Sequence, residues 1–210
     1  GRPDLATDVN LRMQEFEQLV ARTHEAGMKV IIDFVPNHVA RQYHSICKPE
    51  GVKDLGEEDR PELGFDAQNN FYYCPGQRFT PYFDLYHGET EPYIEEPAKA
   101  TGNDCFHNAP GMNDWYETVK LNYGVDYYGG GIGHFSPIPD TWQKMLDILL
   151  FWSAKGVDAF RCDMAEMVPA EFWAYATAKV RNQYPEVKFI GEVYNPNEYR
   201  HYIASGFDYL

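Results

Sequence analysis

The stretch Gly156-Val157-Asp158-Ala159-Phe160-Arg161-Cys162-Asp163 is a short, mostly apolar run that opens on glycine and closes on charge. That is the pattern of a strand buried on both faces with polar groups at its C-terminal tip. Side chains alternate along a strand, so Arg161 and Asp163 share one face and Cys162 points to the other. Upstream, residues 140–155 repeat apolar side chains at helical spacing, with Trp142, Met145, Leu146, Leu149 and Trp152 on one face and a stop at Gly156. Downstream, residues 169–184 carry Phe172, Trp173, Ala176 and Val180 on one face, and Pro185 ends the segment. A second buried strand is predicted over 187–193, ending in Gly191-Glu192-Val193, and a third over 29–35 (KVIIDFV). The latter follows a helix over 11–26 that places Phe16, Leu19, Val20 and Thr23 together and stops at Gly27. Helix and strand alternate, which predicts an α/β fold: a parallel sheet or barrel with helices outside.

Residues 39–138 break the rhythm. A connection between strand and helix normally takes about 2–6 residues, and this one takes on the order of a hundred. It is dense in Gly, Pro, Asn and Tyr (NNFYYCPGQRFTPYFDLYHG, NYGVDYYGGGIGHF), so an inserted, irregular subdomain with short strands is expected. The chain then divides into a barrel part over 1–38, the insertion over 39–138 and a second barrel part over 139–210. The last four residues, Phe207-Asp208-Tyr209-Leu210, read as the start of a further strand.

Composition narrows the partners. The 210 residues hold 18 basic and 32 acidic side chains, a formal charge of −14. Such a balance, without a Lys/Arg-rich run, disfavours phosphate backbones and anionic lipid. The most apolar window, residues 145–154, is short and interrupted by Asp147, and the opening Gly1-Arg2-Pro3-Asp4 has no apolar run, so neither a membrane span nor a signal peptide is expected. With 16 Tyr, 13 Phe and 4 Trp, the aromatic surplus calls for a stacking surface or for bulky filler in irregular backbone. Cys47, Cys74, Cys105 and Cys162 are widely spaced with no Cys-x-x-Cys pair, which favours free thiols. His44, His87, His107 and His134 lack zinc-like spacing, so loop packing or hydrogen bonding to a ligand is expected of them rather than metal.

In a parallel α/β barrel the C-terminal ends of the strands form the active face, so Asp33, Asn37, His38, Arg161, Asp163 and Glu192 should converge. Two carboxylates on adjacent strand tips, one beside an arginine, suit glycoside chemistry. The arginine would keep Asp163 an ionised nucleophile. Glu192, with no such partner in sequence, would stay protonated as the general acid. Each residue alone has a plainer reading: an Arg-x-Asp ion pair, a loop histidine, a strand-end glutamate. Asp33 reads as an anchor that orients Arg161 or Asn37.

The arrangement resembles a known family. Asp33-Phe34-Val35-Pro36-Asn37-His38 is similar to the first signature of the alpha-amylase family of glycoside hydrolases and transglycosylases; Gly156 to Asp163 resembles the second, and Ile190-Gly191-Glu192-Val193 the third. Val119-Lys120-Leu121-Asn122-Tyr123 extends the likeness. The resemblance implies the central part of a (β/α)8 TIM barrel, about strands 3 to 5 and the start of 6, with the subdomain inserted after strand 3. It implies Asp163 as nucleophile, Glu192 as acid/base, Arg161 as positioning cation and His38 as a hydrogen-bond donor to the sugar, with Asn37 and Asp33 completing the substrate-binding set. It also places the family's third catalytic Asp beyond Leu210 and the first two barrel strands before Gly1. Where many alpha-amylases carry Lys-His after the nucleophile to bind the leaving-group sugar, this chain has Glu166 and Met167.

The activity so implied is retaining hydrolysis of α-linked glucans or malto-oligosaccharides, as in starch or maltodextrin degradation. The alternatives are a glucanotransferase-type transglycosylase of the same family and a non-catalytic carbohydrate-binding or partner barrel. No cofactor is required for this chemistry. A structural calcium stays open through the resemblance, because Asn37 matches a family ligand position.

Overall fold

In the computed structural model, residues 8, 10–46, 48, 50–85 and 93–210 are described. Cys47, His87 and the Gly1-to-Asp4 opening lie outside them. Helix α1 (Arg12–Glu25) leads to β1 (Ile31–Phe34), then to six short strands: β2 (His38–Ala40), β3 (Tyr73–Cys74), β4 (Ala98–Lys99), β5 (Thr118–Lys120), β6 (Val125–Asp126) and β7 (Ile132–Gly133). Helix α2 (Asp140–Ala154), β8 (Ala159–Cys162), α3 (Ala170–Gln183), β9 (Lys188–Gly191) and α4 (Tyr199–Ala204) follow. Each long helix and each parallel strand falls inside the range its periodicity predicts, trimmed by at most three residues per end.

Two compact units result. One holds the residues up to Phe34 together with Leu146–Glu166 and Trp173–Leu210; the other holds Val35–Met145 and Met167–Phe172.

The first unit is built on a parallel sheet in the order β1-β8-β9. Its register sets Asp33 opposite Arg161 and Arg161 opposite Ile190. Tyr209 adds one parallel bridge to Ile190, where a further strand start was predicted. Phe160, Cys162 and Phe189 are fully buried, and so are Trp173, Ala176 and Val180 of α3. The rings interlock: Phe160 stacks on Phe189 at 5.7 Å, while Phe34 and Phe207 meet Trp173 edge-on at 6.3 and 4.8 Å. The turn after α1 is set by Gly27 at φ +75°. Its N–H reaches the His24 carbonyl and Met28 N–H the Thr23 carbonyl, the paired bonds of a Schellman stop.

Two expectations for this unit need correction. Among the described residues β1 hydrogen-bonds β8 alone, and it is not buried on both faces there, since Ile31 is 53% exposed and Asp33 is exposed too. The α1 face is also narrower than its spacing suggests. Val20 is buried and Phe16 packs edge-on against Trp152, but Leu19 is 51% exposed and the Thr23 hydroxyl turns back to the Leu19 carbonyl.

The second unit consists of antiparallel pairs of two or three residues, β2 with β5, β3 with β4 and β6 with β7, joined by irregular backbone. Backbone outside regular ladders still needs hydrogen-bond partners, and buried polar side chains supply them. Arg41 donates to the carbonyls of Tyr116, Lys99 and Thr118 and to Glu95 at 2.6 Å. The Asp59 carboxylate accepts the amides of Asn70 and Phe71 and the Tyr73 phenol. Bulk comes from aromatic rings: Tyr72, Phe106, Tyr127, Tyr128 and Phe65 pack at centroid distances of 4.7–6.2 Å. Much of the aromatic surplus is therefore filler. Cys74, Cys105 and Cys162 are free and buried, and no helix among the described residues is long and apolar enough to cross a membrane.

Candidate active site

The parallel register of β1, β8 and β9 aligns their C-terminal ends, and Asp33, Arg161, Asp163 and Glu192 gather there. The Asp163 amide donates to the Phe34 carbonyl at 2.9 Å and the Glu192 amide to the Cys162 carbonyl at 3.0 Å, so each residue extends its strand by one ladder bond. Arg161 is the hub. Its Nη1 lies 3.0 Å from Asp33 Oδ1 and 2.8 Å from Asp163 Oδ1, and its Nη2 lies 2.7 Å from Glu192 Oε1. A guanidinium carries five donors in a fixed fork, which lets one side chain serve three carboxylates. The hydrogen bond with Asp33, then that with Asp163 and the nearby negative charges, raise the Arg161 pKa further above its already high value.

Glu192 thus has the cationic partner its sequence neighbours did not reveal, which corrects the expectation of an unpaired acid. The phenol of Tyr194 donates to Oε1 and the Met164 amide donates to Oε2 at 3.1 Å. The Tyr194 bond is the leading cause, with the Met164 amide, Arg161 and Asp163 behind it, of a Glu192 pKa below the ordinary value despite some burial. The same bond raises the Tyr194 pKa. This arrangement favours the ionised form of Glu192.

Met164 directs its amide this way by adopting φ +46°, in the left-handed region that non-glycine residues seldom occupy. Such a residue costs about 1–3 kcal/mol and persists only when its surroundings hold it. They do: the Trp173 indole donates to the Ala165 carbonyl at 3.1 Å and the Tyr202 phenol to the Glu166 carbonyl at 2.9 Å. The Glu166 carboxylate accepts the amides of Tyr194 and Asn195, both at 2.9 Å, and so ties the turn after β8 to the segment after β9.

Asn37 and His38 belong to the second unit. Asn37 is fully buried. Its Nδ2 donates to the Gly102 carbonyl at 2.7 Å and its Oδ1 accepts Lys120 Nζ at 2.7 Å. His38 is half-buried, with its ring 5.3 Å from that of Trp115 and its Nδ1 3.2 Å from Asn37 Nδ2. Among the other histidines, His107 bonds the Cys105 thiol, His134 packs on Phe65 and His44 touches the Gln42 carbonyl. Among the described residues no group of three or more His, Cys, Asp or Glu side chains is placed to hold a metal ion.

Sequence reasoning brought Asp33, Arg161, Asp163 and Glu192 to neighbouring strand ends but missed Tyr194, the Met164 amide and Lys120. Tyr194 carried a signal, because it stands two residues after Glu192 and an extended chain brings such residues to one side.

A family model described as "Alpha amylase, catalytic domain" matches residues 12–123. The alpha-1,4-glucan:maltose-1-phosphate maltosyltransferase of Cereibacter sphaeroides is 34% identical over 181 residues, covering 86% of this chain and 21% of the relative. Alpha-amylase 3 of Dictyoglomus thermophilum is 24% identical over 194 residues, covering 90% of this chain and 31% of the relative. The solved alpha-amylase of Geobacillus thermoleovorans shares the fold with a TM-score of 0.52 at 20% identity, over 94% of this chain and 34% of that one. The chain spans about a fifth to a third of the length of these proteins.

Proposed function

Because the chain belongs to the alpha-amylase family, we propose that it supplies the nucleophile and the acid/base of a retaining enzyme acting on α-linked glucans or malto-oligosaccharides. The observation that carries this reading is the single guanidinium of Arg161 bonded to Asp33, Asp163 and Glu192 at the ends of three adjacent parallel strands. Asp163, oriented by Arg161, attacks the anomeric carbon. Glu192 in its protonated form gives its proton to the departing glycosidic oxygen as that C–O bond breaks. The glycosyl ester on Asp163 is then opened by an acceptor hydroxyl whose proton returns to Glu192, which frees the Asp163 carboxylate. Asp33 holds Arg161, and His38 donates a hydrogen bond to the sugar. Asn37, being buried, serves to hold its own loop.

This reading treats residues 39–138 as a subdomain inserted after the third strand of a (β/α)8 barrel. The separate compactness of Val35–Met145 supports it.

One observation favours transfer to a sugar over transfer to water: the 34% identical relative is a maltosyltransferase. Glu166 stands where many amylases place a lysine for the leaving-group sugar, and its carboxylate is committed to the amides of Tyr194 and Asn195.

The test is trapping with a 5-fluoroglycosyl fluoride in the full-length protein. The proposal expects the label on the peptide that contains Asp163 and none in Asp163→Asn. A label on any other carboxylate would overturn it, and products formed with and without an added malto-oligosaccharide acceptor separate transferase from hydrolase.

A further inference from the structure

Lys120 on β5 is 2% exposed, an unusual place for an ammonium group. Its Nζ lies 2.6 Å from Asp104 Oδ1, 2.7 Å from Asn37 Oδ1 and 3.3 Å from the Met167 carbonyl oxygen. An ammonium has three donors and no acceptor, and three oxygens from three separate chain segments take them. Local backbone geometry sets where these oxygens lie. The Asn37 amide is oriented by its bond to the Gly102 carbonyl. Asp104 takes a left-handed φ of +66°, a conformation that Asp tolerates better than most residues. Met167 closes the short 3-10 turn Ala165–Met167.

This arrangement bears on the calcium that family resemblance leaves open. Calcium takes about six to eight oxygens at 2.3–2.6 Å. Asn37, the matched ligand position, already spends its oxygen on an ammonium at 2.7 Å. A divalent ion there would have to displace Lys120 or share a buried pocket with a second positive charge. Every buried side-chain nitrogen and oxygen among the described residues has a hydrogen-bond partner, those of this cluster included. The residues at this position do not fit calcium.

We propose that Lys120 is a built-in cation, an ammonium that joins Asn37, Asp104 and the Met167 carbonyl in the role of a structural metal ion and makes this part of the fold independent of calcium. The ligand set is of the kind a hard cation gathers, a carboxylate, an amide oxygen and a backbone carbonyl. The chain supplies the charge covalently.

The test uses the full-length protein and hydrogen–deuterium exchange, which reads this locus apart from any metal bound elsewhere. Peptides covering residues 36–41 and 100–106 should exchange identically in EDTA and in millimolar calcium. Faster exchange of these peptides in EDTA would overturn the proposal. Lys120→Met, which keeps the stem and removes the charge, should speed exchange of both peptides by roughly tenfold or more, as expected from losing charge-assisted hydrogen bonds. Unchanged exchange in Lys120→Met would also overturn it. Lys120→Ser, which opens room for an ion, should regain protection on adding calcium. If neither variant folds, the comparison of the native protein in EDTA and calcium still decides.

Discussion

Tyr194 donates its phenol hydrogen to Glu192 Oε1, the oxygen that also lies 2.7 Å from Arg161 Nη2. One carboxylate oxygen thus carries two donors, one neutral and one cationic, and both favour its ionised form.

The proposed acid must be protonated to act, so the Tyr194 bond should appear in the pH profile. It is the leading cause of the lowered Glu192 pKa. In Tyr194→Phe that pKa rises toward the ordinary glutamate value, and the alkaline limb of kcat/KM moves to higher pH. Initial rates on an aryl malto-oligosaccharide across pH will show this; an unmoved limb would mean that Tyr194 does not set the acid.

Arg161→Lys keeps one positive charge but loses the planar fork that spans three carboxylates. Displacement of reacting groups by about 1 Å can cost on the order of 10²-fold, and a loss of that size in kcat is expected with little change in KM. Steady-state kinetics of the full-length variant, with circular dichroism to confirm the fold, will check it.

Acid stability should depend on Asp158. Burial alone would raise its pKa, but hydrogen bonds from the Val30 amide, Lys29 and His24 outweigh that and bring it from 3.8 to about 2. A carboxyl lowered on folding stabilises fully above its unfolded pKa, and that contribution is lost as pH falls from about 4 to about 2. Asp158→Asn should be less stable at neutral pH and should flatten this part of the profile. Urea midpoints at several pH values will test it, and parallel slopes for variant and native protein would refute it.

Trp173 joins packing to the site, being fully buried against Phe34 and Phe207 with its indole bonded to the Ala165 carbonyl. Trp173→Ala should lower stability by about 3–5 kcal/mol. Trp173→Phe refills much of the space but leaves the Ala165 carbonyl without its donor, at a cost of about 1–3 kcal/mol. Denaturant unfolding of the full-length variants measures both.

What could be read from sequence followed the range of each interaction. The α3 face, Phe172, Trp173, Ala176 and Val180, is fully buried because a two-sided core enforces its periodicity. Leu19 failed the same test: helical spacing marks an apolar stripe, but cannot say how much of it meets a partner. The pairs β3–β4 and β6–β7 are two residues long, too short for alternation to register. Arg161 beside Asp163 was visible because both lie on one strand. Asp33 was readable as an anchor for Arg161 or Asn37, and the structure selects Arg161; the reach of Arg161 to Glu192 needed the register between strands, and Lys120, an ordinary lysine in sequence, owes its importance to residues 83 and 47 positions away.

The left-handed turn at Met164 decides which sequences position 164 can accept. The site draws on that residue's backbone amide, so the side chain is free to vary while the dihedral is not. In a saturation library selected for activity, glycine and asparagine should be enriched at 164, valine and isoleucine rare, and proline absent, since it offers no N–H and holds φ near −65°. Variation at that codon would then measure the demands of the main chain, in a place where an alignment of side chains would suggest indifference.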